Sequence, residues 1–264
     1  IKYLEGSSEP FKGNVFNYYP NGNRELKGNY SRGLKEGKWV WWYPDGEKNK
    51  TGYYVRSLED SIWQWWFKNG QLMKRGKYKK GKKEGRWSEW YEDGTLANSF
   101  GYIDNKPNGK CLKKFANGEK QIEIMYNYGI KSGIEKEWNE NGIPVYENNW
   151  KDGLKDGAQI IWAGNGLILS KHRYSKGMLH GEFIDYYKSG QKSIVGNYRF
   201  GKKHGTWTYS YKDGVVALSG NYRNGDPKGS WFWIRANKSE MVNVDDPDKD
   251  WVTKRIREWE RIYN

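Results

Sequence analysis

Aromatic and aliphatic residues return along this chain in short alternating bursts, each closed by a glycine turn. In the burst from Gly37 to Gly46, Trp39, Trp41 and Tyr43 share one parity, while Val40 and Trp42 take the other. This is the two-residue period of a strand that carries large side chains on both faces. The burst recurs every 24 residues without a slip. Turn glycines stand at Gly22, Gly46, Gly70, Gly94, Gly118, Gly142, Gly166, Gly190 and Gly214, each preceded by Asn or Asp except at Ser189. A second comb keeps the same phase: Gly13, Gly37, Ser61, Gly85, Gly109, Gly133, Gly157, Gly181, Gly205 and Gly229. A third column is aromatic throughout, from Tyr30, Tyr54 and Tyr78 to Tyr198 and Tyr222. Asn-Gly and Asp-Gly supply the two positive φ angles of a type I′ hairpin turn. Segments such as Gly33 to Gly37 read as a longer, glycine-flanked connection. Hairpin thus follows hairpin, each meeting mainly its neighbours. The predicted fold is all-β: a single extended, twisted antiparallel meander of 24-residue β-hairpin repeats.

Two columns add detail. A strand glycine (Gly28, Gly52, Gly76, Gly196, Gly220) precedes the aromatic column by two residues, which predicts that a tryptophan ring from an adjacent strand lies over it. Between Cys111 and Gln159 the tryptophan columns turn polar, and Phe100, Ile124, Asn148 and His172 replace the strand glycine. A weaker or differently curved sheet is expected there. The comb stops after Arg235, dividing the chain into a lead-in (1–12), the repeat array (13–235) and a linker with a C-terminal helix (236–264). Asp246-Pro247-Asp248 reads as the helix start. Val252, Ile256, Trp259 and Tyr263 then share one helical face. The helix is expected to cap the open edge of the last hairpin; the alternative is a docking helix for a partner.

Charge and composition narrow the function. Lys and Arg number 46 against 32 Asp and Glu, a net charge of +14, and 17% of residues are aromatic, too many for a disordered chain. No run of 18 apolar residues exists to span a membrane as a helix. The single Cys111 makes neither an internal disulfide nor a multi-thiolate site. It stands where other repeats have tryptophan and reads as a small core filler. His172, His180 and His204 fall in repeat columns as ordinary strand and turn residues, and no nucleophile elbow, phosphate loop or dinucleotide fingerprint appears. The expectation is a protein without catalysis, cofactor or metal.

Two surfaces remain as candidates. Trp39, Trp41, Trp63 and Trp65 line one face, with Trp42, Trp66, Trp90, Trp138 and Trp162 on the other. The first four form the candidate partner strip; ladder packing of ring on ring is the alternative. Residues 74 to 83 hold seven basic residues and no acid. Lys79, Lys80, Lys82 and Lys83 are the candidate anion site, with Tyr78 placed to stack on a base; solvated turns are the alternative.

The unit formed by Asp45-Gly46, Gly52 and Tyr54, with Gly33, Gly37 and Trp39 one repeat earlier, resembles the MORN repeat in its variant form. The resemblance covers about residues 13 to 235 and is similar to that of bacterial YwqK-family antitoxins. It implies stacked hairpins without catalysis, and neutralisation of a toxin by direct binding; eukaryotic relatives act as scaffolds, some proposed to bind phospholipids. The expected function is a scaffold binding a protein partner, as an antitoxin or immunity-type protein or an accessory subunit of an assembly. The alternative is an anion binder of nucleic acid or acidic membrane headgroups. The chain begins at Ile1 and not at Met, which slightly favours export to the periplasm or cell surface over the cytoplasm, although no apolar leader is visible after it.

Overall fold

The structure, a computed structural model, describes residues 2–3, 5–6, 8–235, 238–243 and 249–263. Among them are 21 strands in antiparallel hairpin repeats and one helix. They fall into two compact units, Ile1–Ile130 and Lys131–Asn264.

The first unit holds β1 (Gly13–Tyr18), β2 (Arg24–Ser31), β3 (Leu34–Trp42), β4 (Lys48–Val55), β5 (Leu58–Trp66), β6 (Leu72–Lys79), β7 (Lys82–Trp90), β8 (Leu96–Ile103), β9 (Lys106–Pro107), β10 (Gly109–Lys114) and β11 (Lys120–Asn127). Each strand from β1 to β8 pairs with its sequence neighbours. β8 then meets both β9 and β10, because the expected next strand is split at Asn108. The second unit runs through β12 (Ile130–Trp138), β13 (Pro144–Lys151), β14 (Leu154–Trp162), β15 (Ile168–Ser175), β16 (Met178–Tyr186), β17 (Lys192–Arg199), β18 (Lys202–Ser210), β19 (Val216–Arg223), β20 (Asp226–Arg235) and β21 (Lys238–Asn243) to the helix α1 (Lys249–Tyr263).

The two kinds of turn are the reverse of the expectation. At Asn21-Gly22 the Gly22 N–H donates to the Tyr19 carbonyl at 2.9 Å and the Tyr19 N–H to the Asn23 carbonyl at 2.8 Å. Only Gly22 has positive φ, at 85°. This is a three-residue loop, a type I turn followed by a left-handed glycine. Asn and Asp are favoured for another reason: Asn21 Oδ1 accepts the Asn23 N–H at 3.1 Å, as Asp45 Oδ1 does for Glu47. The type I′ turns lie at the other end of each hairpin, at Arg32-Gly33 (φ 51° and 72°) and Lys80-Gly81 (φ 52° and 79°). The presumed long connection is therefore a two-residue turn, after which Gly37 (φ 70°) makes a bulge inside β3 where the register shifts. Ser61 holds the same left-handed conformation at φ 59°.

The strand glycines do receive the rings. A Cβ added to Gly28, Gly52 or Gly76 would stand 2.2, 2.1 or 2.0 Å from Cδ2 of Trp39, Trp63 or Trp87. Gly196 and Gly220 are covered in the same way by Trp207 and Trp231. At three of the five the indole N–H is pinned as well: Trp63 Nε1 donates to the Tyr53 carbonyl at 3.2 Å, Trp87 Nε1 to Lys77 at 3.1 Å and Trp207 Nε1 to Asn197 at 3.1 Å, while the buried Nε1 atoms of Trp39 and Trp231 meet no partner among the described residues. Where the glycine is lost the tryptophan is lost with it, since the corresponding pairs read Phe100 with Cys111, Ile124 with Glu135, Asn148 with Gln159 and His172 with Phe183. A side chain on the first strand occupies the space that the ring needs.

At the C-terminus the repeat comb ends but the sheet does not, for Lys238–Asn243 inside the expected linker pairs with β20. The expected helix start Asp246-Pro247-Asp248 lies outside the described residues, as does the side chain of Tyr263. α1 packs on a face of β19 and β20, against the expectation of an edge cap. Val252 and Trp259 are buried against Tyr209, Leu218 and Trp233. Trp259 Nε1 donates to the Ser210 carbonyl at 3.2 Å, and its ring meets Tyr209 edge-on at 5.4 Å. No described helix is long and apolar enough to cross a membrane.

Candidate interaction surfaces

The four tryptophans of the candidate strip divide into two roles. Trp39 and Trp63 are 3% and 2% exposed, so they are core rungs and not an open contact surface. Glycine on one side lets each ring lie flat on the backbone, and tyrosines close it edge-on: Tyr30 and Tyr54 lie 5.3 and 5.8 Å from Trp39, and Tyr54 and Tyr78 lie 5.1 and 5.9 Å from Trp63. Trp41 and Trp65 are only partly buried. They alternate with the rungs at 5.8 to 5.9 Å, from Trp39 through Trp41, Trp63 and Trp65 to Trp87. The rings are thus held in place by the core while one side of Trp41 and Trp65 remains available.

A lysine column, not recognised from the sequence, lies along the same face. Lys35 Nζ stands 4.8 Å from the centroids of Trp39 and Tyr54. Lys83 repeats this at 4.8 and 4.9 Å from Trp87 and Tyr102, and Lys203 at 4.3 and 5.1 Å from Trp207 and Tyr222. These are cation–π contacts between the ammonium and ring faces. Burial holds the Lys83 and Lys203 pKa values below the usual lysine range, and Lys74 adds to the shift of Lys83. The signal was the 24-residue recurrence of lysine at 35, 83, 131, 155 and 203. Near the strip, Lys50 Nζ lies 4.2 Å from the Trp41 centroid, with its pKa lowered by burial and then by Lys35.

The candidate anion group is also divided. Lys79 and Lys82 face each other across the turn that contains Lys80, and all three are exposed. Lys82 reaches Asp104 at 3.5 Å. Lys83 is withdrawn into the ladder and does not join them. On the opposite face, Arg75 and Lys77 from the same basic run meet Arg86 of β7 around a shallow hollow floored by Ile62 and Trp90. Sequence reading missed this group because Arg86 belongs to the next strand.

Cys111, His172 and His180 sit in structural surroundings, whereas the buried Nδ1 of His204 meets no partner among the described residues. Cys111 is 1% exposed, and burial raises its thiol pKa. His172 stacks on Phe183 at 3.9 Å and contacts Asp185 at 2.8 Å, and His180 Nδ1 accepts the Phe200 N–H at 3.3 Å. In the polar stretch of the second unit, Glu135 accepts from Lys131 at 2.7 Å and from Trp150 Nε1 at 2.8 Å. Asn148 is fully buried, and neither of its amide atoms meets a partner among the described residues.

No curated protein matches the chain. The family model of the MORN repeat variant matches it at residues 12–32, 35–56, 59–80, 83–104, 131–152 and 203–224. The rungs Gly28, Gly52 and Gly76 and the rings Trp39, Trp63, Trp87 and Trp207 all fall within those stretches. The chain therefore carries MORN repeats of the variant type, folded as consecutive β-hairpins.

Proposed function

We propose that this chain is a non-catalytic repeat scaffold that binds a protein partner, acting as an antitoxin or immunity-type protein or as an accessory subunit of a larger assembly. The observation that carries the reading is the half-covered pair Trp41 and Trp65, held rigid between buried rungs. Large rings fixed at a surface lose little entropy on binding and bury much apolar area. The non-catalytic part is supported by the roles of the reactive residues: the turn carboxylates hold backbone N–H groups, and the thiol is buried and held protonated.

A second reading, binding of an anion on nucleic acid or acidic headgroups, is favoured by the Arg75, Lys77 and Arg86 hollow beside the exposed Lys79, Lys80 and Lys82. Affinity capture from source cells separates the two. The protein-binding reading expects a protein retained at high salt and absent when Trp41→Ala and Trp65→Ala are combined. Nucleic acid or lipid that washes off with salt, and is lost on Arg75→Glu with Arg86→Glu, would transfer the function to the basic face.

A further inference from the structure

The two units carry the same aromatic column in two conditions. The column that holds Trp41 and Trp65 in the first unit holds Tyr209 and Trp233 in the second. Tyr209 and Trp233 are 1% and 4% exposed, because α1 lies on them with Val252 and Trp259 turned inward. The surface that these repeats present on that face is therefore one that an amphipathic helix fits, and the protein contains one instance. Trp41 and Trp65 hold the same column positions, only partly buried and with no helix over them among the described residues.

Charge selects the kind of helix. Over Trp233 the cation comes from the helix, where Arg255 lies 5.7 Å from the ring and is tied to Glu240 of β21 at 2.8 Å; over Tyr209 it comes from the sheet, where Lys203 lies 5.6 Å from the ring and feels the acid Glu260 of α1. Over Trp41 and Trp65 the cations come from the sheet, Lys50 at 4.2 Å and Lys74 at 5.8 Å. Lys50 makes no ion pair among the described residues, while Lys74 pairs with Glu89 at 2.7 Å. A basic helix such as α1 would place like charges together there, whereas an acidic one would supply the missing partner. We infer that the Trp41–Trp65 strip is a docking groove for an acidic amphipathic helix of a partner protein. This inference rests on the reading of the chain as a protein-binding scaffold and names the chemistry of its partner.

The test uses the full chain and three labelled peptides. The first has the sequence of residues 249–263 with Lys249, Lys254, Arg255, Arg257 and Arg261 replaced by glutamate, the second is the unchanged sequence, and the third is the acidic composition scrambled. Fluorescence anisotropy is expected to show the acidic peptide binding about tenfold tighter than either control, and losing about tenfold or more on Trp41→Ala with Trp65→Ala. Lys50→Glu, which leaves the rings in place, is expected to weaken the acidic peptide and strengthen the unchanged one; a misfolded variant would weaken both. The groove assignment is overturned if the acidic peptide binds no better than its scramble, prefers the wild type no more than the tryptophan variant, or ranks below the unchanged peptide. If the peptides fail while cell capture still returns a salt-resistant protein, the helix assignment falls and the scaffold reading stands. If both fail, both fall.

Discussion

Around Trp63 the strand glycine and the indole form a single packing element, whereas around Asn148 the same two columns hold an amide and Gln159, each under 10% exposed. The first arrangement buries about 200 Å² of ring surface per rung, and at Trp63 the indole N–H is satisfied by the Tyr53 carbonyl. The second buries polar atoms, and an unpartnered amide in a core costs about 1–3 kcal/mol. Yet both stretches keep the 24-residue phase and form the same hairpins. The backbone pattern is therefore specified by turns and bulges, while the rungs decide how firmly each hairpin is held to the next.

The sharpest way to break this contrast is to remove a rung. Trp63→Ala is expected to destabilise the first unit by ~3–5 kcal/mol. Gly52→Ala should cost about 3 kcal/mol, since its Cβ has no room beneath the ring. Urea unfolding followed by fluorescence measures both, and a near-neutral Gly52→Ala would show that the ring is not committed to the glycine. The converse is to build a rung where none exists. Asn148→Gly and Gln159→Trp should each be neutral or harmful alone and favourable together, with a coupling of about 1–3 kcal/mol in a double-mutant cycle. Strict additivity would mean that the two columns are independent.

A gentler effect comes with pH. Burial pushes Tyr54 and Tyr222 from the ordinary 10.0 up to about 12, with Glu59 adding to Tyr54. The folded state keeps their protons, so this stability is intact below pH 10.0 and is lost as pH rises toward about 12. Lys203 acts in the opposite sense: its lowered pKa makes stability rise as pH approaches 10.5 from below. Above 10.5 the tyrosine effect remains alone among these groups. Melting temperatures should fall through that range, and less steeply for Tyr54→Phe with Tyr222→Phe; an unchanged slope would remove the tyrosine column from the account. The smallest effect is expected from Ser61→Gly, which relieves the left-handed serine of the bulge column and should stabilise by about 0.5–1 kcal/mol in the same unfolding assay.

Much of the fold was legible because three columns repeat in phase, and the covered glycines followed directly from Gly28, Gly52 and Gly76. The turn types were not, since Asn-Gly suits both a type I′ turn and a type I turn with a left-handed glycine. Which of them forms depends on register, and bulges such as Gly37 change register without altering the period. The strip was legible only by parity. Trp39 and Trp41 share a face, but glycine and two tyrosines enclose the first and not the second, a difference set by cross-strand neighbours. Arg86 escaped for the same reason, and β21 because Lys238–Asn243 carries none of the repeat columns.

The rung geometry also bears on how quickly the chain finds its fold. Trp39 covers Gly28, Trp63 covers Gly52 and Trp207 covers Gly196, each over a chain separation of only eleven residues. All-β proteins are usually slow to fold because their strand partners are distant in sequence. Here the core contacts are nearly as local as those of a helical hairpin, so loop closure costs little. Folding is then free to start at any tryptophan-bearing hairpin and spread to its neighbours, with the polar rungs near Asn148 as the slowest place to cross.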